Sequence, residues 1–489
     1  MLRCSLALLS LVIAASTHPT VRACGPPGYE NVDTTCSSTV CKQNALNFAY
    51  TYGFPIYSYG SLTKSISVDT NELAHARYLQ GADQDNIVRP NADTLYSTMF
   101  VDLSQNDLEI TVPDFGDRFG DFPFYDLYGN NFANIGSVVV NDLTGTILVR
   151  YDKDRIGLSN STKPEYAAIV GSPTPYGILL VRIATSNTTA DLDEVHQLQD
   201  QITITPIPRS NSTNIPAFDL TIFNRTGYIV SNETSLPEAV LRLTAAFASY
   251  NVPEVSKDRP WVAETLENAG IKDGVWTQPL GTNLTAAPIA ANDSAYQLLS
   301  QPGYVDELSN GWSIYDPIFM GDFHSYYQLR WFITVWGYLA VTPEVAIYPF
   351  QLNGIEEVGA DQAILFEFSG RPAIQKTGFW SLTLYGENQY FVPNNLNRFT
   401  LGDRSNLTFP DGSLVYPTDN ENTTDGPFQL LLQPADVKPP ANWTSNWLPG
   451  PTGGGAFTYT MRFYGAEDAM KEDGSYVYPK VTVIDNITG

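Results

Sequence analysis

The sequence is poor in charge, and above all in positive charge. Only 16% of its 489 residues are charged, whereas about 25% is usual for a globular protein. Lys and Arg number 27 against 52 Asp and Glu, so the net charge is −25. Proteins bind nucleic acid and anionic membrane surfaces through clustered Lys and Arg. The composition therefore excludes a general polyanion binder, and we expect neither a nucleic-acid nor a membrane partner.

Long hydrophobic runs are also missing. A membrane-spanning helix needs about 20 consecutive apolar residues, but the apolar stretch 331–348 is broken by Gly337 and Pro343. The short apolar run 6–15 follows Arg3 and precedes a small-x-small sequence that ends at Ala23, as in a secretory signal peptide. The sequence therefore predicts a signal peptide over residues 1–23 and a secreted, extracellular, soluble protein.

Cysteine is scarce, and after the predicted cleavage only Cys24, Cys36 and Cys41 remain. Three cysteines in an exported chain allow one disulfide with one thiol left over. Because Cys36 and Cys41 are so close along the chain, we favour pairing of Cys24 with one of them. A three-cysteine metal site is disfavoured, since no histidine stands nearby. We predict no metal ligand and no cofactor.

Glycosylation sequons, in contrast, are abundant. A glycan must face water, so each occupied N-x-[ST] sequon marks a surface position. With the signal peptide, they predict a glycosylated secreted protein of a eukaryote. The candidate acceptors are Asn160, Asn187, Asn211, Asn224, Asn232, Asn283, Asn292, Asn406, Asn422, Asn442 and Asn486.

The pattern of secondary structure changes along the chain from β to α and back to β. Apolar spacing predicts helices over 38–52, ended by Gly53 and Pro55, and over 70–80, 191–201, 237–250, 261–269 and 294–299. Short β-rich runs between turn residues predict strands over 94–103, 108–112, 137–140, 147–151, 177–183, 363–368, 380–384, 429–433 and 457–464.

This order predicts a mainly β (α+β) protein with two β-sandwich or jelly-roll-like domains and a helical bridging segment. The expected divisions are an N-terminal β domain over 24–235, a helical segment over 236–335 and a C-terminal β domain over 336–489.

The common catalytic signatures are absent. There is no H-E-x-x-H, G-x-S-x-G, G-x-G-x-x-G, P-loop or C-x-x-C sequence. Only His75, His196 and His324 remain after the predicted cleavage, and they lie far apart in the sequence. A zinc centre or a Ser-His-Asp triad would have to be assembled from scattered residues.

Polar residues among aromatics are the main candidates for a site. In the stretch 88–97, Arg89 can pair with Asp93, Asn91 can satisfy backbone groups, and Tyr96 offers a hydroxyl. The simpler interpretation is a rigid loop fastened to the start of a strand, because Asn and Asp commonly stabilise turns.

A second candidate segment is 122–132. Read as a strand, it places Asp126, Tyr128 and Asn130 on one face. That face either lines a polar pocket or is an exposed sheet surface.

The late part of the chain offers two tryptophans with polar neighbours. Trp380 and Trp447 can stack on a sugar, while Asn394, Arg398, Asn446 and Arg462 bind its hydroxyl or carboxylate groups. Equally, the tryptophans can fill the core of a sandwich, which is their commoner role.

Together these stretches resemble a known pair of domains. Arg89-Pro90-Asn91-Ala92-Asp93-Thr94-Leu95-Tyr96-Ser97 resembles the signature of domain of unknown function 1254. Phe379-Trp380-Ser381-Leu382-Thr383-Leu384-Tyr385, Asn446-Trp447-Leu448-Pro449 and Arg462-Phe463-Tyr464 resemble its usual C-terminal companion, domain of unknown function 1214. The likeness covers most of residues 40–482. It implies two all-β domains bridged by helices, and no established activity.

The leading functional hypothesis is a hydrolase or lyase that acts on a carbohydrate or another polar small molecule. Two carboxylates, one with a raised pKa, can supply general acid and base without histidine or metal. We assign these roles to Asp93 and Asp126, with Arg89 holding an anionic group and Tyr96 or Tyr128 donating a hydrogen bond. The alternatives are a non-catalytic glycan- or small-ligand-binding protein and a metal-dependent enzyme built from scattered Asp and His residues. The site requires the early polar stretch and the late tryptophan stretches to surround one hollow.

Overall fold

The computed structural model describes residues 36–83, 89–139, 143–209, 213–351, 354–355, 357–417 and 425–489. The predicted signal peptide, Cys24 and the sequons at Asn211 and Asn422 lie outside these ranges. None of the helices within the described ranges is long and apolar enough to cross a membrane.

The N-terminal β domain consists of two five-stranded sheets, ordered β1-β2-β9-β4-β5 and β10-β3-β6-β8-β7. Alternating apolar residues such as Met99, Ile110 and Val181 are buried between them. Its strands are β1 (Ala74–His75), β2 (Thr94–Asp102), β3 (Asn106–Val112), β4 (Gly120–Asp126), β5 (Asn131–Gly136), β6 (Gly145–Tyr151), β7 (Gly157–Asn160), β8 (Ala168–Ser172), β9 (Tyr176–Ala184) and β10 (Ile204–Pro208).

Two predictions for this domain are wrong. The segment 70–80 is not a helix, because Ala74 and His75 add β1 to the edge of the sheet beside β2. The strand predicted over 137–140 is not found in its described part, 137–139, which is a turn that follows the end of β5 at Gly136; residue 140 lies outside the described ranges. The other four strands predicted for this domain correspond to β2, β3, β6 and β9.

Six α-helices are present in the described ranges, and five of them form a layer beside the N-terminal sheets. α1 packs against α3, α4, α5 and α6, and its buried aromatic residues join those of the sheet in one core. The helices are α1 (Thr39–Ser65), α2 (Thr189–Asp200), α3 (Leu236–Phe247), α4 (Arg259–Asn268), α5 (Ala286–Leu299) and α6 (Tyr327–Gly337).

The first helix does not end where the sequence predicts. α1 continues through Gly53 and Pro55 to Ser65. Gly53 serves close packing, because a Cβ there would lie 1.7 Å from Oγ1 of Thr244 on α3. Pro55 has no backbone N–H, so α1 lacks one hydrogen bond there. Its ring is buried and packs in the helical layer. Residues that commonly stop a helix are therefore used here for helix contact.

The helical region also contains short strands. The hairpin β11 (Ile271–Lys272) and β12 (Val275–Trp276) follows α4. After α5, β13 (Val305–Glu307) pairs with β14 (Trp312–Tyr315), and β14 pairs in turn with a later strand, β16 (Phe350–Gln351), of the C-terminal region.

The C-terminal β domain contains one sheet ordered β15-β23-β19-β20 and a second ordered β22-β21-β18-β24. Trp380, Phe366, Leu430 and Phe463 fill the core between them. Its strands are β15 (Ala346–Ile347), β16 (Phe350–Gln351), β17 (Glu357–Val358), β18 (Gln362–Phe368), β19 (Ile374–Gly386), β20 (Thr400–Gly402), β21 (Phe428–Pro434), β22 (Trp447–Gly450), β23 (Gly455–Ala466) and β24 (Lys480–Asp485).

The fold class predicted from the sequence is confirmed: the protein is mainly β, with two layered β domains and a helical part. The outer face of the first N-terminal sheet contacts β19 and β23, where Phe119 meets the rings of Phe379 and Tyr464 at 5.1 and 5.0 Å. The two β domains thus share an interface that brings distant parts of the chain together.

The disulfide joins Cys36 to Cys41, with their Cα atoms 5.5 Å apart. The prediction of one disulfide among the three cysteines is confirmed, but the favoured pairing through Cys24 is wrong. Cys41 lies in the first turn of α1, whose N-cap is Ser38. The prediction disfavoured this pair because the two cysteines are close along the sequence. The turn into α1 nevertheless brings residues five positions apart within disulfide distance.

Candidate functional site

A cleft of about 720 Å³ opens between the two β domains. One wall is formed by the loop between β3 and β4 together with α2. The other wall is formed by the first residues of β19 and the loop after β20. Its lining residues are Phe115, Asp117, Arg118, Phe119, Ala184, Thr185, Ser186, Asp191, Glu194, Gln197, Leu198, Gln201, Lys376, Thr377, Gly378, Phe379, Asp403 and Arg404.

Asp403 is a largely buried carboxyl group in the cleft wall. Its Oδ1 atom accepts a 3.0 Å hydrogen bond from the backbone N–H of Trp380. Burial, together with the nearby carboxylate of Asp93, raises its pKa to about 6, although the Arg404 guanidinium acts in the opposite direction. Asp403 can therefore hold a proton in weakly acidic solution, which an exposed aspartate cannot do.

Arg404 joins Asp403 to the predicted catalytic residue Asp93. Its Nη2 atom donates to Oδ1 of Asp93 at 2.7 Å, and its Nη1 atom donates to the backbone carbonyl of Asp93 at 3.1 Å. The guanidinium carbon lies 4.1 Å from the centroid of the Phe379 ring. The buried Oδ2 atom of Asp93 accepts no hydrogen bond from any described residue. The pair thus leaves one acceptor oxygen unused beside the cleft.

The opposite wall is a network around Asp191. Arg118 donates from Nη2 to Asp191 at 2.7 Å and to Glu194 at 2.9 Å. Burial acts to raise the pKa of Asp191, but hydrogen bonds from Arg118, Thr185 and Ser186 outweigh it and lower the pKa to about 2. This wall therefore carries a permanently ionised carboxylate whose main role is to fix Arg118.

Aromatic rings form the apolar part of the cleft. Phe119 and Phe379 meet edge to face with their centroids 5.1 Å apart. At the rim, Lys376 reaches across to Asp117 with a 2.6 Å contact, and both side chains are largely exposed. The cleft therefore combines ring faces with paired charges.

Asp93 and Asp126, the two carboxylates predicted to act together, are not brought together. The residue after Asp93, Thr94, pairs with Ala184 at one end of β9, whereas Asp126 pairs with Gly177 towards the other end. Seven residues of strand span about 23 Å. A pair of glycosidase carboxylates needs a separation of roughly 5 to 10 Å. Asp93 therefore lies beside the cleft without Asp126.

Asp126 instead organises a tight turn. Its Oδ1 atom accepts from the backbone N–H groups of Tyr128 and Asn130 at 2.9 Å, and its Oδ2 atom accepts from Nδ2 of Asn130 at 2.7 Å. Gly129 allows the turn through its φ of 81°. Burial raises the pKa of Asp126 to about 6, although the nearby Arg330 acts to lower it. The strand alternation predicted over 126–130 does not occur, yet the turn still brings Asp126, Tyr128 and Asn130 together.

Of the remaining early candidates, Arg89 and Asn91 bind the C-terminal domain, and Tyr96 contacts its own domain. Arg89 donates from Nε to Gln389 at 2.7 Å rather than pairing with Asp93. Asn91 donates from Nδ2 to the hydroxyl of Tyr464 at 3.1 Å. Tyr96 sits beside Arg182, whose guanidinium carbon is 6.0 Å from the ring centroid. Arg89 and Asn91 therefore link the two β domains.

Arg462 belongs to the same interface. It donates to the hydroxyl of Tyr385 at 2.8 Å, to Oγ1 of Thr383 at 3.0 Å and to the carbonyl of Arg89 at 3.1 Å. All three acceptors are protein groups, so Arg462 serves to hold the interface together.

The tryptophan candidates fill the interior of the C-terminal domain. Trp380 is 1% exposed and packs on Phe368 in the core. Trp447 is 5% exposed and packs in a smaller cluster with Leu431. Neither lines the cleft, so the early polar stretch and the tryptophans do not surround one hollow.

The amides and the arginine near these tryptophans brace loops of the same domain. Asn446 receives the N–H of Thr408 at 2.9 Å, and Asn394 receives the N–H of Arg398 at 3.1 Å. Arg398 donates to the backbone carbonyl of Trp447 at 2.9 Å. Their hydrogen bonds are thus used within the domain.

Sequence reasoning missed Asp403 and Arg404. The signal available was an adjacent acid and base directly after a short strand, beside the sequon at Asn406. Only the fold shows that Arg404 contacts Asp93. Within the described part of the chain, the cleft contributes no group of three metal-ligating side chains; the one such group lies elsewhere, at Glu254, Asp322 and His324.

Comparison with known proteins agrees with this architecture. A crystal structure of the VPA0106 protein from Vibrio parahaemolyticus superposes with a TM-score of 0.57 at 20% identity, covering 91% of this chain and 100% of that one. At this identity the likeness shows a shared fold alone. A putative uncharacterized protein from Burkholderia cenocepacia gives a TM-score of 0.39 at 11% identity, with 92% and 91% of the two chains covered. No curated protein matches the chain.

Family models locate both domains. The protein of unknown function DUF1254 matches residues 70–206, and the protein of unknown function DUF1214 matches residues 355–468. The two matches coincide with the N-terminal and C-terminal β domains on either side of the cleft. The chain therefore belongs to the family that pairs an N-terminal DUF1254 domain with a C-terminal DUF1214 domain.

Proposed function

We propose that the protein is a secreted glycoprotein enzyme, a hydrolase or lyase, that acts on a carbohydrate or another polar small molecule in the cleft between its β domains. The observation that carries this proposal is the position of the largely buried Asp403 in the cleft wall, next to Arg404, which binds Asp93. Burial and the neighbouring carboxylate raise the pKa of Asp403 to about 6, while Arg404 binds Asp93 as an ion pair.

We assign Asp403 the role of general acid and Asp93 the role of the second carboxyl group. Two carboxyl groups whose environments differ can take opposite proton-transfer roles at the same pH. In the proposed reaction, Asp403 donates its proton to the leaving group as the bond to that group breaks. The Asp93 carboxylate takes a proton in return, from the water molecule that forms the new bond in a hydrolysis or from the substrate carbon that becomes part of the new double bond in an elimination. Asp403 thus takes the place that the sequence assigned to Asp126.

The cleft favours an uncharged polar substrate over a strongly anionic one. Its arginines are already committed, Arg118 to Asp191 and Arg404 to Asp93. Phe119 and Phe379 supply ring surface, on which the apolar face of a sugar can pack. A volume of about 720 Å³ is typical of small-ligand pockets, which span roughly 300–1,000 Å³.

The test is turnover by the purified protein. We would incubate it with a panel of nitrophenyl glycosides and uronate-containing oligosaccharides and identify products by mass spectrometry. We expect cleavage of at least one substrate, and a loss of at least about 100-fold in kcat for Asp403→Asn. The control is Asp485→Asn, which changes an exposed carboxylate on β24 of the same domain. Equal loss in both variants, or none in Asp403→Asn, would remove Asp403 from the mechanism.

Binding without conversion would instead support the non-catalytic alternative. Such binding would have to use the cleft, since Trp380 and Trp447 are buried in the domain interior. A saturable shift of protein resonances or heat on titration of the same oligosaccharides, without product, is the result that favours a binding protein.

The exposure of the sequons supports the secreted-glycoprotein part of the proposal. Of the nine sequon asparagines in the described ranges, eight are exposed and only Asn486 is partly buried. The exposed ones are Asn160, Asn187, Asn224, Asn232, Asn283, Asn292, Asn406 and Asn442. Peptide mapping of the protein secreted from a eukaryotic host tests it, and intracellular retention without glycans would contradict it.

A further inference from the structure

We propose that Glu254, Asp322 and His324 bind a divalent metal ion of the Zn²⁺ type. Glu254 lies in the loop between α3 and α4, and the other two residues lie in the segment that leads into α6. One potential ligand atom from each residue lies within 4.8 Å of the others. This site does not line the cleft and is independent of the proposed reaction.

The interatomic distances fit ligands of one ion better than hydrogen bonds. His324 Nδ1 lies 3.5 Å from Oε1 of Glu254 and 3.4 Å from Oδ1 of Asp322. Direct N–H···O hydrogen bonds usually span about 2.7–3.2 Å. Ligands of tetrahedral zinc at about 2.0–2.2 Å from the metal lie about 3.3 Å from each other. The three side chains are therefore spaced as they would be around a tetrahedral ion.

The two carboxyl groups also need positive charge. Glu254 and Asp322 are within hydrogen-bonding reach of each other, and their side chains are 13% and 19% exposed. Among the described residues, His324 is the only cationic partner within 4.0 Å of either carboxylate. The buried Oε2 atom of Glu254 receives no hydrogen bond from an N–H or hydroxyl donor of the described residues. Two close carboxylates and an unused buried oxygen form a donor set that a dication would neutralise.

The two neighbouring guanidinium groups form no ion pair with Glu254 or Asp322, although Arg330 acts on the Glu254 carboxylate from a greater distance. Arg330 donates to the backbone carbonyl of Tyr52 and lies 4.6 Å from the ring centroid of Tyr128. Arg259 donates to the backbone carbonyls of Pro253 and Glu254 rather than to the Glu254 carboxylate. Neither guanidinium therefore replaces the metal ion.

The backbone holds the two ligands of the segment 321–324 in place. Gly321 has a φ of 77°, and a Cβ there would lie 2.5 Å from the backbone N of Thr342. Its carbonyl accepts a 2.8 Å hydrogen bond from the N–H of Asn131. His324 has a φ of 47°, which turns its side chain back towards Asp322. The segment is thus fixed against the N-terminal sheet before any ion binds.

Three protein ligands leave one tetrahedral position open. The His324 side chain is 48% exposed, so solvent reaches this side of the site. Structural zinc sites are closed by four protein ligands, whereas sites with three keep a water molecule that a substrate can displace. We infer that the fourth ligand is water.

Zinc titration of the mature, full-length protein without a histidine tag tests the proposal. After dialysis against a chelator, calorimetry with ZnCl₂ is expected to give one ion per chain, and Co²⁺ is expected to give the visible absorption of a tetrahedral centre. Glu254→Gln and His324→Ala are each expected to weaken zinc binding at least ten-fold, whereas Glu264→Gln, at an exposed position on α4, is expected to have no effect.

The proposal is overturned if the unmodified protein shows no saturable zinc binding, or if both ligand variants bind zinc with unchanged affinity. Asp322→Asn provides a third variant if one of the others does not fold, as judged by circular dichroism. Asp403→Asn is expected to retain zinc binding, which separates failure of this site from failure of the proposed activity.

Discussion

Arg404 connects the two β domains by donating a 2.7 Å hydrogen bond from Nη2 to Oδ1 of Asp93, across 311 positions of sequence. The contact fixes one side of the cleft, because Arg404 also lies over the Phe379 ring. Asp403, the preceding residue, acquires its raised pKa partly from the same Asp93 carboxylate. One ion pair thus links the domain interface to the candidate acid.

Removal of this pair tests its structural role. Arg404→Ala leaves the Asp93 carboxylate, whose side chain is 10% exposed, without its cationic partner. We expect a loss of about 1–3 kcal/mol in the free energy of unfolding, because a buried charge without a partner is costly. Denaturant titration measures the loss. Lys376→Ala, which breaks the exposed pair with Asp117, is the matched control and should change stability little; equal losses in the two variants would contradict a special role for Arg404.

The raised pKa of Asp403 predicts a pH dependence of stability. The carboxyl group titrates near its ordinary value of about 4 in the unfolded chain and at about 6 in the folded protein. Its contribution is therefore fully present below about pH 4 and is lost as the pH rises through about 6, by at most about 1.4 kcal/mol per pH unit. Asp403→Asn should remove this part of the pH profile.

The measurement is the free energy of unfolding of both proteins between pH 4 and pH 8. The difference between the original protein and Asp403→Asn is expected to change in this range, while Asp485→Asn should run parallel to the original protein. If Asp403 is the general acid, kcat falls over the same interval as the carboxyl group ionises. If the difference in the free energy of unfolding between the original protein and Asp403→Asn did not change with pH, the raised pKa of Asp403 would be contradicted.

The sequence predicted the strands well because their signals are local. The alternating apolar residues of β2 and β9 and the turn residues around them suffice to identify these strands. The short edge strand β1 carries no such pattern and forms only because β2 is beside it. The helix end predicted at Gly53 and Pro55 was wrong for the same reason. Gly53 is required by its close contact with Thr244 of α3, which is distant in the sequence.

The candidate site was predicted only in part. Asp93 was identified from its polar setting, and it does lie beside the cleft. Arg404, its partner, and the neighbouring Asp403 could not be found, because nothing in one sequence shows which distant residue contacts Asp93. The sequence allowed Trp380 to be either a stacking platform or a core residue. It is a core residue, because the fold places apolar side chains of the facing sheet over it.

The contact of α1 with α3 gives a sharper test of packing. In Gly53→Ala the new methyl group would lie 1.7 Å from Oγ1 of Thr244, so the helices must move apart. We expect a loss of about 1–3 kcal/mol in the free energy of unfolding. The control is Gly337→Ala in α6, where a Cβ meets nothing within 4 Å; it should be neutral or stabilising by up to about 1 kcal/mol.

Equilibrium unfolding of the two glycine variants decides the point. A greater loss for Gly337→Ala than for Gly53→Ala would show that helix propensity, rather than the close approach of α1 and α3, governs the first helix. A crystal structure of Gly53→Ala is expected to show a displacement of α3 relative to α1.

Asn486 is expected to escape glycosylation although it occupies a sequon. Its Nδ2 atom, to which a glycan would be attached, donates a 2.8 Å hydrogen bond to the carbonyl of Ala360, and its Oδ1 atom is buried. Asn442, in the same domain, is exposed and serves as the matched site. Glycopeptide mapping of the protein expressed in a eukaryotic host should find glycan at Asn442 and an unmodified Asn486. Full occupancy at Asn486 would contradict this prediction.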